Sequence, residues 1–296
     1  MRTLTDTWIV FGAELRRALK SPRVLIVLLL YLAFSAGVML ASGALARQAH
    51  AQFEAQGQDA AAMISPKAGL LAMLFGQDRA LIESLLQLPA MLLVVFKLGL
   101  VFLPAYVALL GFDAVSGELQ TRSLRYLSVR TSRTALALGK GLALAAVVLL
   151  LVTVVHLGSF GYATSTLPDF SFGDAARIWP RLWGTSALVG VGMAALTILC
   201  STLSRAPALS LTLNFAALLG FWAAGAVGDG ARMVRMVQNQ TEVSWQERIG
   251  LLAPSTWSAE LLYPDPSRVL TGLLALLAFT LICTSAAVTV LRWRDL

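Results

Sequence analysis

Long apolar runs alternate with short polar stretches along the whole chain. Six segments of about 20 residues or more are nearly free of charge, at 24–44, 89–112, 138–162, 182–203, 207–228 and 269–291. A helix needs about 20 apolar residues to cross the hydrocarbon core of a bilayer. The pattern therefore predicts an all-α polytopic membrane protein with six transmembrane helices, which together make one transmembrane domain over 1–296.

A different periodicity precedes the first span, in residues 4–20. The apolar residues there recur at helical steps of three and four: Leu4, Trp8, Phe11, Leu15 and Leu19. The charged residues Glu14, Arg16 and Arg17 lie off this stripe. A basic amphipathic helix that leads into a span is expected to lie in the membrane interface, with Trp8 at the level of the headgroups.

The first apolar run could also be the core of a signal peptide, because Ala44-Leu45-Ala46 resembles a cleavage site. The run over 24–40 is longer than the 7–15 residues of a signal core. We therefore expect it to remain as a membrane anchor.

The composition supports the membrane interpretation and narrows the chemistry. Hydrophobic residues make up 57% of the 296 residues and charged residues only 13%, whereas soluble domains carry about 25% charged residues. Cys200 and Cys283 both lie inside apolar runs, and His50 is far from His156. These positions give no disulfide framework and no metal-binding spacing, so we expect no metal site.

The net charge of +7 divides unequally between the two sides of the bilayer. Six spans place both ends of the chain and the loop 113–135 on one side, which carries 13 basic and 5 acidic residues. The other side carries 9 basic and 11 acidic residues. By the positive-inside rule both termini and this loop are cytoplasmic, and the charge is explained without a nucleic-acid partner. We expect a multi-pass protein of the cell membrane, most naturally a bacterial inner membrane.

The loop 113–135 has a composition that a plain connector does not need. Arginines alternate with leucines in it, and Asp113 and Glu118 stand near its start. The pattern predicts a short helix. Because the segment is too short to fold alone, it must rest on the membrane, on its own spans or on another protein.

At this loop the chain resembles the ABC-2-type family of ABC transporter permeases. Members of that family carry an aspartate at the end of the second span, then Gly-Glu, a Leu-rich turn, Ser-Arg and a Gly-Lys pair. The matching or neighbouring positions are Asp113, Gly117, Glu118, Leu124, Arg125, Leu127, Arg133 and Lys140. The chain departs from the family where Arg122-Ser123 replaces a frequent Gly-Thr. The resemblance extends to Ser21-Pro22-Arg23 before the first span and to Pro254-Ser255-Thr256-Trp257 before the last.

The resemblance implies a non-catalytic permease subunit of an ABC exporter. Two permease subunits, identical or different, would pair with two copies of a cytoplasmic ATPase, and the loop after span two would be the coupling helix. ATP hydrolysis on that partner would drive alternating access. The sequence holds no Gly-x-x-x-x-Gly-Lys-[Ser/Thr] phosphate loop, so ATP and Mg are expected on the partner and no cofactor on this chain.

Lys97 is a charged residue within a predicted span. Such a residue is either a functional group or a lysine whose ammonium reaches back to the interface. The functional interpretation places Lys97, together with His156 toward the same side, at a translocation path or gate.

Two other classes of protein fit the sequence less well. A self-sufficient secondary transporter or channel would predict repeated halves and intramembrane carboxylates, and the six predicted spans contain no acidic residue. An intramembrane enzyme would need a nucleophile with a base or a metal motif, and the sequence contains neither His-Glu-x-x-His nor Gly-x-Ser-x-Gly.

Overall fold

The computed structural model describes residues 2–55, 64–76, 78–167, 170, 172–238 and 242–294, and within these residues all regular structure is helical. The helices in chain order are α1 (Arg2–Lys20), α2 (Pro22–Ala55), α3 (Ile64–Phe75), α4 (Arg79–Leu85), α5 (Ala90–Gly111), α6 (Ser116–Gln120), α7 (Ser123–Arg130), α8 (Arg133–Thr166), α9 (Phe172–Leu203), α10 (Pro207–Val237), α11 (Trp245–Gly250), α12 (Pro254–Glu260) and α13 (Pro266–Trp293).

Six of the described helices are long and apolar enough to cross a bilayer, which confirms the predicted number of spans. The spanning segments are Pro22–Leu45, Ala90–Gln120, Arg133–Thr166, Ala176–Leu203, Pro207–Arg235 and Pro266–Trp293. Several are longer than their apolar runs. α8 has 34 residues, or about 51 Å at 1.5 Å per residue, so it extends beyond a hydrocarbon core of about 30 Å.

The spans are buried to very different degrees, which defines the centre of the bundle. In α9, 72% of the most apolar window is buried, and in α8 half of it is. The corresponding share is only 11% in α2 and 17% in α10 and in α13. Apolar residues of α5, α8, α9 and α13 form the main core around Val107, Val148 and Ala194, and the outer faces of α2, α10 and α13 remain apolar and exposed.

The two ends of the bundle differ in construction. We call the end that carries α1, α6, α7 and Arg294 the terminal face. The other end, which we call the opposite face, carries α3, α4, α11 and α12, and there Leu81 and Leu85 of α4 pack with Leu92 and Phe96 of α5 in a second apolar core. α11 and α12 fill the connection between α10 and α13, and a Cβ placed on Gly228 would lie 2.5 Å from the Cα of Gly250. α10 and α11 therefore cross with their backbones in direct contact.

Candidate functional site: a charged cluster and a short helix at the terminal face

α1 lies directly on the first turns of α8. A Cβ added to Gly139 would stand 2.6 Å from Val10 Cγ1 and 3.0 Å from the carbonyl oxygen of Thr7, so only glycine permits this approach. Thr7 is buried at the contact. The Gly-Lys pair at 139–140 thus has a packing function within the chain.

Lys140 joins three helices through two carboxylates. Its Nζ lies 2.5 Å from Glu14 Oε1 in α1 and 2.7 Å from Glu118 Oε1 in α6. The side chain of Lys140 is only 2% exposed. A buried ammonium needs such partners, because an unpaired charge out of water costs several kcal/mol. Lys140, expected from the family resemblance to act in ATPase coupling, is therefore inaccessible to another protein, and any effect it has on coupling passes through α1 and α6.

Arg17 in α1 and Arg23 at the start of α2 extend this set toward solvent. We call the six residues Glu14, Arg17, Arg23, Asp113, Glu118 and Lys140 the charged cluster. Arg17 Nη1 lies 3.4 Å from the same Glu118 Oε1. Arg23 Nη1 lies 2.5 Å from Asp113 Oδ2, and its second nitrogen donates to the carbonyl of Leu109 at 2.6 Å. Arg23 therefore secures the end of α5 and the first predicted loop residue, Asp113, to the start of α2.

α9 secures the loop from its other side. Ser201 Oγ accepts hydrogen bonds from the backbone amides of Val115 and Ser116, each at 3.0 Å, and donates to the carbonyl of Phe112 at 2.9 Å. Val115 begins the turn into α6. The buried hydroxyl of Ser201 therefore pairs with backbone groups that this turn leaves without a helical partner. The start of the loop, including Gly117, is therefore fixed to the central helix of the bundle.

The loop forms two short helices rather than the single helix that its composition predicts. α6 ends at Gln120 and α7 begins at Ser123, and between them Arg122 has φ 59° and ψ 9°. This left-handed backbone conformation is unfavourable for residues with a Cβ, by about 1 kcal/mol or more. Arg122 occupies the position at which the family often has glycine, and the backbone geometry explains that preference.

α7 buries one residue and exposes most of the rest. Leu124 is 1% exposed and packs with Val115, Leu136 and Leu291 in a third apolar cluster. Tyr126 is 80% exposed and Val129 86% exposed. Arg122, Arg125 and Arg130 are exposed as well, and Leu127, expected as an apolar contact, is 38% exposed. We refer to the surface made by Arg122, Tyr126, Val129 and Arg130 as the α7 surface.

Arg133 does not belong to the α7 surface. Its Nη1 donates to the carbonyls of Arg292 at 3.0 Å and Arg294 at 2.6 Å, and at 3.5 Å to that of Leu291. The guanidinium of Arg294 in turn donates to the carbonyls of Thr202 and Ser204. These arginines satisfy carbonyls that the ends of α13 and α9 leave free. Arg133 thus contacts the end of the last span.

A cavity of about 360 Å³ opens between α1, the end of α5, α6 and α8. Glu118 and Lys140 line it together with Arg17, Arg23 and Asp113. Glu118 Oε2 is buried and has no hydrogen-bond partner among the described residues. The described residues contain no group of three or more His, Cys, Asp or Glu that could hold a metal ion.

α1 presents its apolar stripe outward. Phe11 and Leu15 are half-buried, and Glu14 faces Lys140. Leu4 and Trp8 are exposed, at 70% and 64%. Arg16 and Arg17 are adjacent in sequence but have different environments. Arg17 pairs with Glu118, whereas Arg16 is exposed and forms no ion pair with any described residue. The helix therefore has one face on the bundle and one face that only the surroundings can cover.

Lys97 and His156 have different direct partners, although ring contacts from Phe75 to Phe96 and from Phe96 to His156 connect them. Lys97 Nζ lies 5.2 Å from the centre of the Phe75 ring in α3, a cation–π contact. His156 is buried, its Nδ1 lies 2.8 Å from the carbonyl of Val152, and its Nε2 lies 3.3 Å from Ser186 Oγ. No described hydrogen bond or ion pair joins Lys97 to His156.

A second polar cluster lies on the opposite face, and it joins the segments before span two and before span six. Tyr263 donates to Asp78 Oδ2 at 2.7 Å, Arg268 Cζ lies 3.3 Å from the centre of the Tyr263 ring, and Arg268 forms two hydrogen bonds with Glu260 at 2.6 and 3.1 Å. Asp78 also caps α4. We call these four residues the Asp78–Tyr263 cluster.

In the Asp78–Tyr263 cluster, the pKa values of Tyr263 and Asp78 shift in opposite directions. Burial, followed by the hydrogen bond to Asp78, raises the pKa of Tyr263 to about 12. Burial acts to raise the pKa of Asp78, but hydrogen bonds from Tyr263 and from the amides of Leu81 and Ala80, with the charge of Arg268, hold this pKa below its usual value. The cluster is therefore an ionised carboxylate that accepts from a neutral phenol at neutral pH.

Some of these residues carry a weak sequence signal and others carry none. Arg23 and Arg294 are basic residues at the ends of spans, a position that gives no indication of their partners. No sequence pattern singles out Ser201 or Tyr263. Asp78 precedes Arg79 and Ala80 as a helix cap would, which indicates the start of α4 but not its partner.

Comparison with known proteins agrees with this architecture. The sequence pattern of the family described as "ABC-2 family transporter protein" matches residues 8–296, which is nearly the whole chain. No curated protein matches the sequence significantly. Members of the ABC-2 family are multi-pass membrane proteins that generally work with ATPase subunits. With six spans, a charged terminal face and a match over this length, the chain belongs to the ABC-2 transporter family, as a permease.

Proposed function

We propose that the chain is the non-catalytic permease subunit of an ABC exporter. It pairs with a second permease subunit and with two copies of a cytoplasmic ATPase that binds ATP and Mg. The terminal face is the cytoplasmic side, as the distribution of basic residues indicates. Export as the direction of transport follows the family resemblance of the sequence.

The α7 surface is the observation that carries this proposal. Tyr126 and Val129 are large apolar side chains that stand almost fully exposed on a helix outside the spans. Exposed aromatic residues beside arginines are typical of protein interfaces. Leu124 anchors the same helix to the bundle, so a partner that contacts α7 acts on a fixed element.

The charged cluster supplies the connection from α7 to the spans. α6 precedes α7 directly and holds Glu118, which contacts Lys140 of α8 and Arg17 of α1. A displacement of α7 by the ATPase therefore moves two spans and α1 together. On the opposite face, the Asp78–Tyr263 cluster joins the segments before spans two and six. We expect these contacts to separate when alternating access opens this side.

Site-specific photo-cross-linking tests the partner directly. A photoreactive phenylalanine analogue replaces Tyr126, and a matched variant carries it at Met73, which is 87% exposed on the opposite face. Each is expressed in cells of the native host, and mass spectrometry identifies whether the cross-linked partner is a phosphate-loop ATPase. We expect a cross-linked product with the ATPase from position 126 and none from position 73.

Two further experiments test ATPase binding and the energy source of transport separately. Val129→Asp is expected to lower co-purification of the ATPase at least tenfold while membrane insertion stays normal. Cross-linking from Met73 equal to that from Tyr126 would contradict the assignment of the α7 surface. Transport by the chain reconstituted without any ATPase would overturn the permease assignment itself and favour a secondary transporter.

A further inference from the structure

The outward side of α1 combines two features that no other described part of the chain accounts for. Leu4, Trp8 and Ile9 are each more than 60% exposed, which is a large apolar area for a helix that is otherwise packed against α8. α1 ends at Lys20, and α2 begins at Pro22 and continues into the first span. The exposed stripe is thus continuous with a lipid-facing helix.

Two cations stand beside this stripe. At 100° per residue, Arg16 and Lys20 project within about 20° of the exposed Ile9 and about 80° and 120° around the helix from Trp8. Both are exposed, and neither forms an ion pair with any residue that the structure describes. The neighbouring residues Arg17 and Arg23 differ, because each already forms an ion pair with a carboxylate of the bundle.

We infer that α1 binds anionic phospholipids of the bilayer, with Arg16 and Lys20 on the phosphate groups and Trp8 at the boundary with the acyl chains. A zwitterionic bilayer would cover the apolar stripe equally well but would leave two cations without counter-charge. Each basic residue at a membrane surface favours anionic lipid by about fivefold. The two residues together therefore predict a preference for anionic lipid of about 25-fold.

The arrangement also brings the lipid headgroups close to the charged cluster. Glu14 lies on the same helix and contacts Lys140 at 2.5 Å, so α1 joins the lipid surface to α6 and α8. Lipid binding by α1 requires only the permease in a bilayer and does not depend on an ATPase docked on α7.

Fluorescence of Trp8 tests the inference in nanodiscs. A variant that retains Trp8 and replaces the other six tryptophans by phenylalanine is placed in mixtures of phosphatidylglycerol and phosphatidylcholine at fixed proportions. Bromine is carried on the acyl chains of one lipid or the other. We expect Trp8 to be quenched several-fold more by brominated phosphatidylglycerol at 50 mM salt, and the difference to shrink at 500 mM because salt screens exposed charges.

Two variants give the specificity. Arg16→Gln with Lys20→Gln is expected to equalise quenching by the two lipids, whereas the matched control Arg130→Gln, an exposed arginine of α7, retains the preference. Equal quenching in the parent, or a preference that survives in the double variant, would overturn the inference. Quenching by neither lipid would show that protein covers this face instead.

A second measurement covers the case in which the single-tryptophan variant does not fold. The protein with all its tryptophans is extracted from the same mixtures, and the lipids that stay bound are counted by mass spectrometry. We expect the parent to retain several-fold more phosphatidylglycerol than Arg16→Gln/Lys20→Gln. Equal retention by the two proteins would contradict the inference.

Discussion

Lys140 Nζ in α8 lies 2.7 Å from Glu118 Oε1 in α6, and both side chains are at least nine-tenths buried. The pair connects the third span to the segment that precedes the α7 surface. Burial makes it strong and also costly to disturb, because a charge that loses its partner stays out of water. The charged cluster is therefore expected to govern stability at the terminal face.

Replacing Lys140 by Met is expected to destabilise the protein by about 3 kcal/mol, since the buried charge of Glu118 then keeps only its longer contact with Arg17, at 3.4 Å. The measurement is the temperature at which half of the detergent-solubilised protein remains monodisperse. Lys140→Met with Glu118→Gln should recover part of the loss. Arg79→Gln, which removes an exposed pair with Glu83, serves as control and should change little. A Lys140→Met variant as stable as the parent would contradict the assigned role of the Lys140–Glu118 pair.

Gly139→Ala is expected to loosen α1 from α8, because the added methyl group meets Val10 Cγ1 at 2.6 Å. Overpacking of this kind costs about 1–3 kcal/mol. Limited proteolysis between α1 and α2 measures the effect, with faster cleavage in the variant. The matched control is Gly141→Ala, whose methyl group would meet Ile198 Cγ1 at 3.9 Å, an ordinary contact. Equal cleavage of the two variants would exclude the close approach at Gly139.

Arg122→Gly is expected to stabilise the connection between α6 and α7 by about 1 kcal/mol, because glycine adopts the left-handed conformation without a Cβ penalty. Arg122→Val should have the opposite effect, since a β-branched residue fits this conformation poorly. Hydrogen exchange of the α7 amides measures both changes. Faster exchange in the glycine variant than in the valine variant would contradict the assigned backbone geometry.

The Asp78–Tyr263 cluster predicts a dependence on pH with a definite sign. The pKa of Asp78 is lowered in the folded protein, so its contribution to stability is complete above the usual value of about 4 and is lost as the pH falls through the folded value. Tyr263→Phe should reduce this dependence and lower the stability by about 1 kcal/mol at neutral pH. Hydrogen exchange of α4 between pH 3 and 7, interpreted by a double-mutant cycle with Asp78→Asn, is the measurement. A coupling near zero in the cycle would rule out the Asp78–Tyr263 bond.

The spans could be predicted from the sequence because each consists of about 20 apolar residues, and a bilayer leaves few other structures for such a run. Their ends could not. The apolar run of the third span suggests a start at 138, but α8 begins at Arg133, where Ser132 caps it by accepting from the amide of Ala135. Beyond the hydrocarbon core, capping and packing set the ends of helices, and a hydropathy pattern does not contain them.

The candidate site was predictable as a region but not as a set of contacts. The family resemblance identified Asp113, Glu118, Arg133 and Lys140, yet their partners lie between 22 and 161 positions away in sequence. Such long-range pairs follow from how the spans pack, and that packing depends on shape as well as on polarity. The left-handed backbone of Arg122 is a further feature that the sequence alone does not indicate, and it explains why glycine suits this position.

Arg133 also sets an order on how the protein is made. The carbonyl of Leu291, one of its acceptors, is synthesised 158 residues after it, which corresponds to about 8–30 s at 5–20 residues per second. During that interval the guanidinium needs water or headgroups as partners, so the beginning of α8 stays at the membrane surface while three further spans insert. The bundle closes at this end only when the last span arrives, and a nascent chain that stalls earlier exposes an unoccupied arginine that quality control can recognise.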